Sequence, residues 1–235
     1  MSASDVEWRI ERAPVAYEEA VARMEQRAAA VAAGDARELV WLLEHPPVIT
    51  AGTSARSEDL LDPGRYPVVK TGRGGRYTVH GPGQRIAYVV LHLERYGRDV
   101  RQLVAAIEDW GIAALAALGV EAGRSPLGTG IWVAGPHGPA KIGAIGVRVR
   151  RWVSLHGLAI NVSNDLAAFS TIVPCGIRGA GVARLCDLRP EADMPALDRA
   201  LAGAVCRLVR APGSADRRRA SASAPAALEE PSAKV

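Results

Sequence analysis

Cysteine is scarce in this chain: Cys175, Cys186 and Cys206 are the whole supply in 235 residues. An odd number without CxxC spacing argues against both a disulfide framework and a thiolate metal site. The five histidines, at 45, 80, 92, 137 and 156, show neither HExxH nor a paired metal spacing, so no metal is expected. Aromatics are few, with one Phe, five Trp and five Tyr. No apolar run approaches the roughly 18 residues of a membrane span. The start, MSASDVEWRIER, has no hydrophobic stretch for secretion, and a cytoplasmic protein without membrane contact is the expectation. A net charge of +4 is too mild to argue for nucleic acid, though it favours acidic partners. GxxxxGK[ST] and GxGxxG are both absent, which removes a P-loop and a dinucleotide fingerprint.

What is present suits one globular domain: 49% of residues are hydrophobic and 23% charged, and the 24 glycines follow no three-residue period. Tyr17, Val21, Met24, Ala28 and Val31 form one stripe of a helix over 14–33 that Gly34 ends. A second helix is predicted over 99–118 with Gly119 as its stop, and a third over 194–208, which puts Cys206 on an apolar stripe. Apolar runs predict strands at 38–45, 67–71 and 86–93, and a meander over 131–162. Grouped strands with helices set apart predict a mixed α+β sheet. Residues 5–211 read as one domain, and 212–235, rich in Ala, Ser, Pro and Arg, as a tail that cannot order itself.

Three segments stand out chemically. GRGGRYTVHGPGQ (72–84) has five glycines in thirteen residues, with Arg73, Thr78, His80 and Gln84 hung on that backbone. It reads as a glycine-rich hairpin with solvated side chains or as a ligand-binding loop. Cys175 lies between Pro174 and Gly176, which present its thiol at a corner. In KIGAIGVRV a period of two puts Lys141 on the face of Gly143, Ile145, Val147 and Val149, unless a bulge at Gly143 or Gly146 flips the register and leaves it a solvated strand end. A thiol with an ammonium or a neutral amine beside it is an activated nucleophile. A Cys/His pair with His80 or His156 as base fits the same inventory.

HPPVITAG (45–52), RGGRYTVHGPGQ (73–84), KIGAIGVRVRRWVSLHGLAINV (141–162) and FSTIVPCGI (169–177) together resemble the lipoyl(octanoyl) transferases over residues 8–210. The resemblance implies a single catalytic domain of the biotin and lipoate protein ligase type, with a larger mixed sheet, a smaller sheet and flanking helices. It implies octanoyl transfer from octanoyl-acyl carrier protein to the lysine of lipoyl domains, those of 2-oxoacid dehydrogenases and of the glycine cleavage H protein, without a cofactor. By position Cys175 matches the acyl-thioester nucleophile and Lys141 the lysine of the dyad. Arg73, Gly74, Gly75, Arg76, Tyr77, Thr78, Val79 and His80 match one substrate-binding stretch, Ala144, Ile145 and Gly146 a second, and Gly157, Leu158 and Ala159 a third. Leu158, Ile145 and Val173 are candidates for an octyl channel. The sequence departs from the family at Val79, where an aromatic more often precedes the histidine. Arg148, Arg150 and Arg151 read either as a solvated strand face or as a docking surface for acidic partners.

Overall fold

Alternation of apolar residues along the chain resolves into two sheets in a computed structural model that describes residues 6–173 and 181–209. The large sheet contains β1 (Glu7–Ile10), β2 (Leu39–Leu43), β6 (Gln84–Val90), β7 (Gly123–Ser125), β8 (Gly128–Gly135), β9 (Gly138–Arg150), β10 (Val153–Asn161) and β11 (Gly181–Val182). Its spatial order is β1-β2-β6-β10-β9-β8-β7, with β11 also paired to β9. β1 runs parallel to β2 and β11 parallel to β9; the other pairs are antiparallel. β3 (Val48–Ala51), β4 (Val68–Lys70) and β5 (Tyr77–His80) form the small sheet, in the order β4-β3-β5. The class is mixed α+β, as patterning and resemblance imply.

Helices cover both faces of the large sheet because each face is apolar. On one side, α1 (Tyr17–Ala33) buries Tyr17, Ala20, Met24, Ala28 and Val31, a stripe at helical spacing, against Leu39, Trp41, Tyr88 and Leu155. Gly34 ends this helix at φ 83°, a left-handed turn that lets its N–H return to the Ala30 and Val31 carbonyls. On the other side, α2 (Val100–Ala117) packs Leu103, Ile107, Trp110 and Ala114 on Val40, Val89, Leu158 and Ile160. Asp99 caps it by accepting from the Arg101 N–H at 2.7 Å. α3 (Leu185–Leu188) and α4 (Met194–Gly203) close this layer. The Trp110 indole N–H donates to the Leu201 carbonyl at 2.8 Å, and a bidentate Arg85–Asp198 pair at 2.8 and 2.9 Å ties β6 to α4.

Three departures from the pattern have local causes. β1, β3 and β7 are strands of three or four residues, too short to show a period. Part of the glycine-rich segment is strand β5, because Thr78 and His80 sit opposite Thr50 and Val48 of β3. The last helix stops at Gly203 and continues as a 3-10 turn over Val205–Arg207. That change of pitch turns Cys206 out to solvent, correcting the expectation that it packs in the core.

Candidate active site

Where the two sheets meet, a cavity of about 310 Å³ opens between the β9–β10 surface and the segment 73–80. Its sheet wall comes from two stretches of one hairpin that are cross-strand partners: Gly157 opposes Gly146, Leu158 opposes Ile145 and Ala159 opposes Ala144. Its other wall contains Arg73, Gly75, Arg76, Tyr77, Thr78 and His80. Gly74 and Val79 of the same stretch lie behind that wall. Gly74 donates its N–H to the Val147 carbonyl at 3.0 Å, and Val79 packs with Ile49, Phe169 and Ile172 under the small sheet. Val173 is buried away from the cavity and donates to the Asp59 carbonyl at 2.8 Å.

Lys141 reaches this cavity through a bulge. Pairing steps from Ile131 to Trp132 on β8 while it steps from Gly143 to Lys141 on β9, so Ile142 is the extra residue. Ala140 and Ile142 accordingly face the α2 layer with Ile145 and Val147, and Lys141 turns to the opposite face. The register does flip, at Ile142 instead of Gly143 or Gly146, yet Lys141 does not become a solvated strand end: it is 7% exposed. Its Nζ donates to the Thr129 carbonyl at 2.9 Å and lies 4.6 Å from the Trp132 ring centre. The neighbouring peptide is fixed in turn, since the Glu108 carboxylate accepts the Gly130 N–H at 3.0 Å and pairs with Arg124 at 2.7 Å. Gly130 stands at φ 136° with the Lys141 stem against it, a place where a Cβ would collide.

The polar wall is held by a chain of buried hydrogen bonds. Arg73 Nη2 donates to the Thr50 carbonyl at 2.8 Å and to its Oγ1 at 2.7 Å. Thr50 Oγ1 lies 3.4 Å from His80 Nε2, and His80 Nδ1 lies 2.7 Å from Gln84 Oε1. Gln84 Nε2 donates onward to the Val79 carbonyl and to Asn161 Oδ1. Because that amide donates through nitrogen, His80 carries its proton on Nδ1. Burial, and after it the repulsion that protonation of both His80 and nearby His45 would create, pushes the His80 pKa down to about 3, so the ring is neutral. This is what the His and Gln of HGPGQ do four residues apart.

Two further histidines complete a neutral inner end. His45 places Nδ1 2.7 Å from the Val15 carbonyl and Nε2 2.8 Å from the Tyr88 hydroxyl, which fits a neutral ring donating to the first and accepting from the second; burial lowers its pKa. His156 has a left-handed backbone, φ 64°, unusual for a residue with a Cβ. Strict alternation would put it with Leu158 and Ile160; the left-handed turn brings its ring edge-on to Tyr88, 5.8 Å away, at the cavity. Its ring nitrogens have no hydrogen-bond partner among the described residues. Burial, and after it the charges of Arg73 and Arg148, lower its pKa to about 4.

Sequence reasoning missed Tyr17, Tyr88, Thr50, Thr129 and Glu108. Tyr17 and Tyr88 read as ordinary members of apolar stripes, and Thr50, Thr129 and Glu108 act through contacts that local pattern does not encode. Cys175 lies outside the described residues. The described chain resumes at Gly181–Val182, where Val182 is paired with Lys141. No group of three or more His, Cys, Asp or Glu side chains among the described residues is placed to hold a metal.

A large mixed sheet, a smaller three-stranded sheet and flanking helices match lipoate protein ligase structures in fold. A bipartite lipoate protein ligase from Thermoplasma acidophilum superposes with a TM-score of 0.67 at 16% identity, covering 87% of this chain and 84% of that one. The chain belongs to the lipoyl protein ligase A/B catalytic domain family, whose pattern it matches over residues 16–205. It is 60% identical over 200 residues to an octanoyltransferase of Rhizorhabdus wittichii, covering 84% of this chain and 88% of that protein. An octanoyltransferase of Paramagnetospirillum magneticum is 57% identical over 197 residues, covering 83% and 93%.

Proposed function

We propose that this protein is an octanoyltransferase acting in lipoate attachment, and that it works through a cysteine thioester. Octanoyl is taken from octanoyl-acyl carrier protein and given to the lysine of lipoyl domains. The observation that carries this reading is the Lys141 amine, turned by the Ile142 bulge into a cavity whose sheet wall is made of small and aliphatic residues. Such a wall suits an aliphatic chain, and an amine beside a thiol suits acyl transfer. The names of the relatives support the acyl group.

In the first half-reaction the Cys175 thiolate attacks the thioester carbonyl of the donor. A new C–S bond forms to Cys175, the C–S bond to the carrier breaks, and the carrier's thiol leaves with a proton. In this reading Lys141 holds the thiolate or passes that proton. In the second half-reaction the ε-amine of the acceptor lysine attacks the acyl-enzyme. An amide bond forms, the bond to Cys175 breaks, and the proton lost by the amine returns to the thiolate. The acyl group is activated as a thioester throughout, so no nucleotide is consumed.

Incubation with octanoyl-acyl carrier protein and intact-mass detection tests the reading. An octanoyl adduct on Cys175, labile to hydroxylamine and formed without ATP, is the expected result. Full activity in Cys175→Ser, or a requirement for ATP, overturns it. By the same reading the enzyme acts in the cytoplasm; among the described residues no helix is long and apolar enough to cross a membrane.

A further inference from the structure

Among the described residues, four other than glycine have left-handed backbones: Arg98, Arg151, Trp152 and the cavity histidine His156. Three of the four meet at one place on the surface. β9 and β10 join through a two-residue turn, with Arg150 paired to Val153 and both central residues, Arg151 at φ 50° and Trp152 at φ 60°, in the left-handed region. Such turns ordinarily use Asn and Gly, because side chains there are strained. Here the turn presents two large side chains to solvent instead. Trp152 is 38% exposed, and the Arg98 guanidinium stacks on its indole at 4.7 Å.

The turn is also rigidly supported. The Trp152 carbonyl accepts the Leu93 N–H at 2.6 Å, and buried Glu38 accepts from the His92 N–H at 2.8 Å and from the Tyr96 hydroxyl at 2.6 Å. Around the indole the charges are mainly positive. Arg98 is paired to Glu94, and Arg148 to Glu25 at 3.4 Å, whereas neither Arg150 nor Arg151 has a carboxylate partner among the described residues. An exposed Trp among arginines, on a preformed turn held in a strained backbone, is the composition of an interface anchor.

We propose that the Arg150–Trp152 turn, with Arg98 beside it, is the docking surface for an acidic carrier protein that holds its acyl group on a long flexible arm. The inference rests on the octanoyl-transfer reading and adds where the donor sits. Charge selects an acidic partner. Distance selects the donor over the acceptor. Gly146, at the near rim of the cavity, is four residues from Arg150 on the same strand, roughly 13 Å at 3.3 Å per residue, and Lys141 lies five residues further in. Only a partner with a long arm can bridge from the turn past the rim toward Lys141, whereas a protein delivering its own lysine side chain must dock at the mouth itself.

The experiment compares the wild type with Arg150→Glu/Arg151→Glu and with Trp152→Ala. Three measurements are made: anisotropy of labelled carrier protein without an acyl chain, Cys175 acylation from octanoyl-carrier protein, and acylation from octanoyl-pantetheine, which has no protein to dock. The charge-reversed variant is expected to lose about tenfold or more in carrier affinity and in kcat/KM for the carrier donor, with a flatter salt dependence, while octanoyl-pantetheine is used as before. Unchanged carrier binding overturns the inference. So does an equal loss with both donors, which would mean a disturbed fold or site, or a loss confined to transfer onto the lipoyl domain, which would place the acceptor there. If the wild type forms no acyl adduct from either donor, the proposed function fails, and the anisotropy still decides the docking.

Discussion

The two walls of the cavity are built by opposite means. The sheet wall, Ala144–Gly146 against Gly157–Ala159, is regular antiparallel pairing that sends Ile145 and Leu158 to the α2 layer and leaves small residues, Ala144, Gly146 and Ala159, toward the cavity, a surface without polar side chains to satisfy. The loop wall is a run of buried polar groups, Arg73 to Thr50 to His80 to Gln84 to Asn161, each holding the next. The first wall recognises by volume and the second is fixed by bonding. Substitutions in the sheet wall should therefore change which chain fits, and substitutions in the loop wall should change whether the cavity exists.

Lys141 stands between the walls and belongs to neither kind, so it gives the largest effect. Lys141→Ala should keep the fold and slow acylation of Cys175 by about 10²–10⁴-fold, the usual range for a lost proton-transfer group. Stopped-flow acylation with the melting temperature as control reads this; a rate within a few-fold of wild type removes Lys141 from the chemistry. Arg73→Met is the corresponding break in the loop wall. It removes two buried charge-assisted hydrogen bonds, to the Thr50 carbonyl and to its hydroxyl, and should lower stability by about 2–4 kcal/mol in urea unfolding. An unchanged midpoint would mean the network does not hold the wall.

Ala144→Leu breaks the comparison from the other side. Three added carbons on the sheet wall should lower kcat/KM for octanoyl by about 10–200-fold while a butanoyl or hexanoyl donor is kept, with little change in unfolding. Equal losses for all chain lengths would show that the sheet wall is not selecting by volume.

These contrasts also explain how far the sequence could be read. The helix stripes at 17–31 and 103–115 and the long strands of the meander carry strong periods, and each recurs in the fold. The loop wall announced itself by glycine density and by His80 and Gln84, though its strand did not, since β5 exists only through pairing with β3. Lys141 shows the limit most plainly. Period-two alternation put it on the α2 face, and only the tertiary register between β8 and β9 shows that Ile142 is the extra residue. His156 is similar: its φ reverses the face that alternation assigns, and no neighbouring residue signals it. Local pattern fixes which residues gather, whereas bulges and left-handed residues decide which way they look.

The smallest predicted effect, on acid stability, separates the walls by titration, because the sheet wall has nothing to protonate apart from His156 beside it. His45, His80 and His156 are all buried with pKa values lowered from the ordinary 6.5, to about 3 for His80 and about 4 for His156. Below 6.5 the unfolded chain binds protons that the folded chain refuses, so stability is full above that pH and falls as the pH drops toward 4. Each histidine contributes at most about 1.4 kcal/mol per pH unit. Urea midpoints at pH 7, 6 and 5 sample this window before the carboxylates dominate. The wild type should weaken steadily over it, and His156→Phe should weaken less steeply by one proton's worth. A flat wild-type profile between pH 6.5 and 5 would mean the histidines take up protons in place, and the inner end of the cavity would then carry charge at mildly acid pH instead of the neutral rings that its hydrogen bonds describe.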